Sequence, residues 1–423
     1  MRSYGWWMVL VMDVIAIVSG GVWTYGFGAF ILPLTKEFNW SRAEISFGIS
    51  LSRLEGHIEA PISGYLTDRF GPRVVMLIGL AIFASGFILL GLVNSLMSFY
   101  IVLLYMSIGY GLGFFMPMVT VVANWFKQNV GKAMGLFQAG YGGCGLVIPV
   151  LVWLIYQYGW RTTTLIVGVG LIAICLPAIF AIRGRPEDLG SAANGHAEAG
   201  YASRSLEKVD IAAASAAPAY EEGEFTLYEA LRSRSFWYIA IAHGITGFAY
   251  HALIIHEIPY LVSIGISAEI AALGLTLITI ISTAGRLGFG WLGDIFPKRF
   301  VMAACFGLQL VGTLIFAGIQ NLWLLFLSII IFSPGNGGQM PMRVALQREY
   351  YGRKAFGVTQ GTMTLASAVI SAMGPTLAGW IFDISGSYRP AFLITSVAYV
   401  IAIVLIVAAT PPKPKAHESL ARC

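Results

Sequence analysis

The sequence predicts an all-α membrane protein with twelve transmembrane helices in two pseudo-symmetric six-helix bundles. Three observations lead there. Of 423 residues, 57% are hydrophobic and 11% are charged, against about 45–50% and about 25% in soluble domains. The apolar residues come in long unbroken blocks. The second half of the chain repeats landmarks of the first, in the same order.

The blocks fix the helices. No Asp, Glu, Lys or Arg occurs between Arg73 and Lys127, a stretch of 53 residues. A helix needs about 20 residues to cross the bilayer, so this stretch holds two spans and a turn at Asn94-Ser95. The same design recurs between Arg299 and Arg343, with a turn at Gln320-Asn321. Charge gaps and turns divide the first half into spans at 6–34, 44–66, 74–94, 97–125, 133–158 and 162–182. The second half divides at 236–262, 269–293, 300–319, 322–346, 355–382 and 389–410. The resulting organisation is an N-terminal bundle over 1–184, a flexible loop over 185–224, a C-terminal bundle over 225–410 and a tail over 411–423.

Orientation follows from the short loops. Arg2, Arg69, Arg73, Lys127, Lys132, Lys298, Arg299, Arg348, Arg353, Lys354, Lys413 and Lys415 fall on one side. Lys36, Arg42, Arg161 and Arg389 fall on the other. The positive-inside rule makes the first side cytoplasmic, with both termini there, in a multi-pass protein of the cytoplasmic membrane. The 185–224 loop is rich in Ala, Gly, Ser and Glu without an apolar stripe, so disorder is expected. Phe225 to Arg234 carries apolar residues at helical spacing, either as a short interfacial helix or as an extension of the seventh span.

Several functions are excluded. Cys144, Cys175 and Cys305 lie inside apolar spans without ligand or disulfide spacing and read as small packing residues. No nucleophile–base pair, metal set or cofactor motif is present, so neither an enzyme nor a cofactor is expected. Gly335-Asn-Gly-Gly338 lacks the Gly-Lys-Ser/Thr end of a phosphate loop. The net charge of +5 comes from loops and does not indicate nucleic acid. The lipid bilayer is the expected surroundings, and the protein is expected to be a monomer.

The repeat is specific. Tyr25-GFGAFILPL matches Tyr250-HALIIHEIPYL. Gly64-Tyr-Leu-Thr-Asp68 matches Gly290-Trp-Leu-Gly-Asp294, and Lys132-Ala-Met-Gly-Leu-Phe-Gln138 matches Lys354-Ala-Phe-Gly-Val-Thr-Gln360. Two halves joined by a loop favour a midplane site between halves that rock.

Gly64-Tyr-Leu-Thr-Asp68-Arg69-Phe-Gly71-Pro-Arg73 resembles the loop motif between the second and third helices of the major facilitator superfamily. The resemblance implies that fold. It also implies a gating role for Gly64, Asp68, Arg69, Gly71 and Arg73, with Gly290 and Asp294 in the degenerate copy. Asn124-Trp-Phe-Lys127, Gly131-Lys132-Ala-Met-Gly135 and Ala139-Gly140-Tyr-Gly142 resemble the signature of the monocarboxylate and oxalate/formate transporter branch. That branch carries a substrate-binding arginine where Arg286 stands. This chain departs from it in having Ser282 where animal monocarboxylate carriers have an aspartate. It also has Ala29 near their first-helix lysine, and it has no lysine between Ala355 and Phe382, where oxalate carriers have one in the eleventh helix.

Arg286 is the main candidate on physical grounds too. It lies eight residues before Asp294, about 12 Å along a helix, in a hydrocarbon core about 30 Å thick. A buried arginine there costs about 3 kcal/mol even on the mild insertion scale. An anionic substrate would compensate it, and a carboxylate suits its planar fork. A fixed salt bridge is the structural alternative. Tyr25, Tyr110, Tyr141, Tyr250, His251, Gln138 and Gln360 are candidate cavity-lining groups. Glu59 lies nine residues before Asp68, at nearly the depth of Arg286. It is a candidate counter-ion that releases the arginine on protonation, with Glu55 and His256 as further proton-coupling candidates. Asp13 reads as a packing partner or proton carrier.

The expectation is a secondary transporter for a small organic anion, in the first instance a monocarboxylate, working with protons or by exchange. Arg53 leaves a dicarboxylate open. The alternatives are efflux of amphipathic aromatic compounds and a membrane sensor without transport.

Overall fold

The computed structural model describes residues 2–126, 130–182, 225–352 and 356–412. The apolar blocks become helices because backbone N–H and C=O groups in hydrocarbon have to pair within their own segment. The first crossing is α1 (Arg2–Gly20), continued through a π-helical turn at Gly21–Tyr25 and a 3₁₀ turn at Gly26–Phe30 into α2 (Ile31–Phe38). The second and third are α3 (Arg42–Phe70) and α4 (Pro72–Leu90). The fourth joins α5 (Leu96–Phe114) to α6 (Met116–Trp125). Next come α7 (Val130–Gly140), a 3₁₀ turn at Tyr141–Leu146 and α8 (Val147–Ala181). The later helices are α9 (Leu227–Arg232), α10 (Arg234–Ser263), α11 (Ala268–Ile295), α12 (Lys298–Ala317), α13 (Leu322–Tyr351), α14 (Phe356–Ser385) and α15 (Arg389–Ala408).

Among the described residues, ten stretches are long and apolar enough to span a membrane. Two more crossings complete the expected twelve. The 29-residue α3 is excluded from the ten by its charged residues. The 133–181 stretch counts once but reverses at Gly159, whose φ of 77° and ψ of 160° suit only glycine. At the other end of the bundle Gly71, at φ 83°, ends α3, and Pro72 starts α4. Residues 183–224 and 413–423 lie outside the described residues, and so does the disorder expected of 185–224. Phe225 to Arg234 resolves into a separate short helix. Thr226 and Glu229 cap α9 reciprocally, and the chain breaks at Ser233, which then caps α10.

The helices before and after residue 200 meet along a seam. α3 packs on α14, α11 on α8 and the Tyr141–Leu146 turn, and α10 on the Gly26–Phe30 turn. Close approach depends on missing side chains: a Cβ on Gly28 would strike the Ile255 carbonyl. The seam's hydrogen bonds gather toward the distal end of the bundle, opposite the N-terminus. Arg42 N and Ala43 N donate to the Asp383 carboxylate at 3.1 and 2.8 Å. Thr376 Oγ1 reaches Ser50 Oγ at 2.9 Å, and Thr276 Oγ1 donates to the Gly145 carbonyl at 2.7 Å. The arginine of α11 lies farther from the distal end than these.

Candidate functional site

α-Geometry is lost at two of the candidate tyrosines, Tyr25 and Tyr141, as it often is in functional segments. Tyr25 ends the π turn, Tyr141 opens a 3₁₀ turn, and Tyr110 lies near the end of α5. These phenols gather with Tyr250 of α10 around two arginines. The Tyr25 and Tyr250 side chains lie close together across the seam. Tyr110 meets Tyr141, and its hydroxyl lies 3.4 Å from Thr24 Oγ1.

Arg286 projects from α11 into this group. Its Nη1 donates to the Gln138 carbonyl at 2.6 Å, while its buried Nε has no acceptor. Its charge bears on Tyr25, Tyr250 and Cys144. Arg53 of α3 enters from the first half. Its Nη2 donates to the Thr24 carbonyl at 3.1 Å, and its Nε is likewise buried without an acceptor. Its charge bears on Tyr250, Tyr110 and Tyr25.

A run of neutral polar groups extends from this centre into the second half. Tyr250 lies beside Asn336. Asn336 Nδ2 donates to Ser282 Oγ at 3.1 Å, and Ser282 Oγ donates to the Ser333 carbonyl at 3.0 Å. Gln339 Nε2 donates to Asn336 Oδ1 at 3.1 Å, and Tyr399 OH donates to Gln309 Oε1 at 3.2 Å.

The acids lie elsewhere. Glu55 accepts from Ser107 Oγ on α5, and the buried Glu59 carboxyl lies against Gly111 of the same helix. They are four residues apart and share the α5-facing side of α3, while Arg53 faces the seam. Glu59 and Arg286 form no ion pair in this conformation. Asp13 is buried against Gly140.

The other candidates separate as well. Gln138 contributes its backbone oxygen, while its side chain is exposed. His251 Nδ1 lies 2.9 Å from Ser371 Oγ of α14, within the second half. Gln360 is half-buried on α14 and joins no hydrogen bond of this group. His256 is fully buried at the distal seam, with Ser46 Oγ at 3.1 Å and with Tyr388 OH and the Pro375 carbonyl each at 2.9 Å. In the loop motif, Gly64, Asp68, Arg69 and Gly71 close α3 and Arg73 opens α4. Arg69 Nη1 donates to Tyr65 OH at 3.1 Å and Arg73 lies over Phe180, so neither pairs with the exposed Asp68 here. Gly290 and the exposed Asp294 occupy the equivalent end of α11.

Three contributors went unread in the sequence. Asn336 had a signal, an amide in the middle of a charge-free block. Thr24 acts through its carbonyl and left none. Asp383 acts on helix ends from the opposite half, which no local pattern reveals.

The family profile described as Major Facilitator Superfamily matches residues 12–263 and 252–422. Monocarboxylate transporter 12 of Xenopus laevis is 22% identical over 95% of this chain and 88% of its own length. The oxalate:formate antiporter of Oxalobacter formigenes is 25% identical, over 94% of this chain and 90% of its own. Among solved structures, that of the nucleoside transporter NupG superposes with a TM-score of 0.74 at 14% identity. It covers 95% of this chain and 99% of NupG, a likeness of fold.

Proposed function

The chain belongs to the major facilitator superfamily, whose relatives here are transporters, and from that premise we propose that it carries a small organic anion by alternating access. The observation that carries the reading is the setting of Arg286. Its hydrogen bond across the seam goes to a backbone carbonyl. Among the described residues the salt bridges are Arg161–Glu37 and Lys298–Glu349, and neither involves Arg286. A guanidinium in the bilayer interior without a counter-ion is expensive, and a carboxylate in transit offsets that cost with a bidentate pair. The relatives named for monocarboxylates and for oxalate and formate are consistent with such a cargo.

The two units, 1–184 and 225–410, rock about the seam, with 185–224 as the connection. In the conformation described, the distal end is closed. The excess of basic residues in its loops supports a cytoplasmic side at the opposite end, with both termini there, in the cytoplasmic membrane. Asp68 and Asp294 sit on that side, free to capture the neighbouring loops when it closes. Tyr25, Tyr110, Tyr141 and Tyr250 line the anion path. His251 and Gln360 lie on the second unit's walls, where a change of state brings them into play. Glu59 and Glu55 carry the proton, and His256 responds to it at the distal seam.

The test is uptake by proteoliposomes of purified protein. Arg286→Gln is expected to abolish transport of small carboxylates while the protein remains folded. Unchanged carboxylate uptake by Arg286→Gln would sink the reading. Glu59→Gln is expected to retain exchange of anions but lose acceleration by an inward proton gradient.

A further inference from the structure

Arg53 and Arg286 come from opposite sides of the seam, on α3 and α11, yet their charges bear on the same two phenols, Tyr25 and Tyr250. Each guanidinium has five N–H donors. Among the described residues each has one hydrogen bond, to a main-chain carbonyl: Thr24 for Arg53 and Gln138 for Arg286. Each leaves its Nε buried and unpaired. No carboxylate forms a salt bridge with either among the described residues. The acids of α3 do not serve Arg53, because Glu55 and Glu59 are turned toward α5. A third intramembrane arginine, Arg343, lies near His243 in the second half, away from these phenols.

Two unpaired cations around one pair of hydroxyls are a poor match for a single negative charge. One carboxylate on Arg286 would leave Arg53 uncompensated in a medium that penalises it. We infer that the site takes an anion with two negative groups, a short dicarboxylate, and that Arg53 is its second cationic contact. One carboxylate pairs with Arg286 and the other with Arg53, and the Tyr25 and Tyr250 hydroxyls donate between them. This rests on the reading of Arg286 as a carboxylate contact. It adds a source of selectivity: a dianion touches both halves at once, whereas a monoanion engages only one. A ligand drives a change of state only through contacts that differ between the states. A bridging dianion has such contacts on both sides of the seam.

The experiment is a thermal-shift titration of the purified full chain at pH 8 and constant ionic strength. The probes are malonate, which carries two charges, and propionate, which carries one on a similar carbon frame. Malonate is expected to half-saturate at a concentration about 10- to 100-fold lower than propionate, the worth of one more charge-assisted pair. Arg53→Gln is expected to erase that ratio, bringing the malonate and propionate half-saturation concentrations together. Arg53→Lys should keep part of it, and Arg286→Gln should lose both responses. A wild-type protein that binds propionate and malonate equally overturns this inference alone, even if Arg53→Gln does not fold. So does an Arg53→Gln protein that keeps the full ratio. A wild-type protein stabilised by neither anion overturns the parent reading of Arg286.

Discussion

Replacing Asp383 tests how the distal end is held shut. A helix begins with N–H groups that have no partner inside it. In α3, Ser41 Oγ accepts from Glu44 N at 3.1 Å, and Asp383, from the opposite half, accepts from Arg42 N and Ala43 N. The α3 N-terminus is therefore capped in trans, and every opening of the distal end uncaps it. Losing a capping group costs about 0.5–2 kcal/mol, and a carboxylate at a helix N-terminus adds about 0.3–1 kcal/mol. Asp383 is exposed, which favours the lower part of that range, so Asp383→Ala should cost the closed form about 1–2 kcal/mol. That changes the closed-to-open ratio about 5- to 30-fold. Asp383→Asn keeps one acceptor and should cost about half as much. The assay is electron–electron resonance distance measurement between spin labels at the exposed Leu92 and Trp323, which flank distal loops of the two halves. Asp383→Ala should enrich the long-distance population. A distribution identical to that of the unsubstituted labelled protein, in the same lipid and at the same pH, would refute the trans cap as a determinant of closure.

Other substitutions make further checks. His256→Ala leaves Ser46 and Tyr388 without their shared partner in a fully buried position. Its apparent melting temperature should fall by an amount equivalent to about 2–3 kcal/mol. Gly145→Val would drive a side chain into Thr276 and Thr279, so uptake should cease and the Leu92–Trp323 distance should lengthen while expression is retained. Arg161 donates to Glu37 through Nε and Nη2 at 3.0 and 2.8 Å, to the Gly91 carbonyl at 2.6 Å and to the Val93 carbonyl at 3.1 Å. An ammonium cannot reproduce that spread, so Arg161→Lys should lose about 1–2 kcal/mol of thermal stability, and equal stability would contradict the geometry. Both carboxyl oxygens of the fully buried Glu257 lack a partner. Glu257→Gln should therefore melt no lower than the parent, and a drop of several degrees would mean the acid has a structural role.

The crossings were legible because hydrocarbon imposes a length and a polarity that show directly in the sequence, as between Arg73 and Lys127. The separation of α9 from α10 was not, since one serine decides it through its ψ angle. Arg286 and the four tyrosines could be named because charge and hydroxyl in an apolar block are conspicuous. Their convergence depended on departures from α-geometry at Gly21–Tyr25 and Tyr141–Leu146, which shift the azimuth of every residue beyond them. The expected nearness of Glu59 and Arg286 rested on depth alone. Depth leaves the rotation of a helix about its axis undetermined, and α3 turns Glu59 toward α5. His256, read as a proton-coupling candidate, lies in the distal seam for a related reason: it belongs to a different level of the same helix as Tyr250.

The Gln138 oxygen has one more implication. A peptide oxygen bears only part of an electron's charge, whereas a carboxylate bears a whole one. On the proposed reading, an arriving anion therefore has only a dipole to displace from Arg286, and a departing anion leaves the side chain with a resting place. On the same reading, that resting place lowers the cost of the unladen state between one passenger and the next.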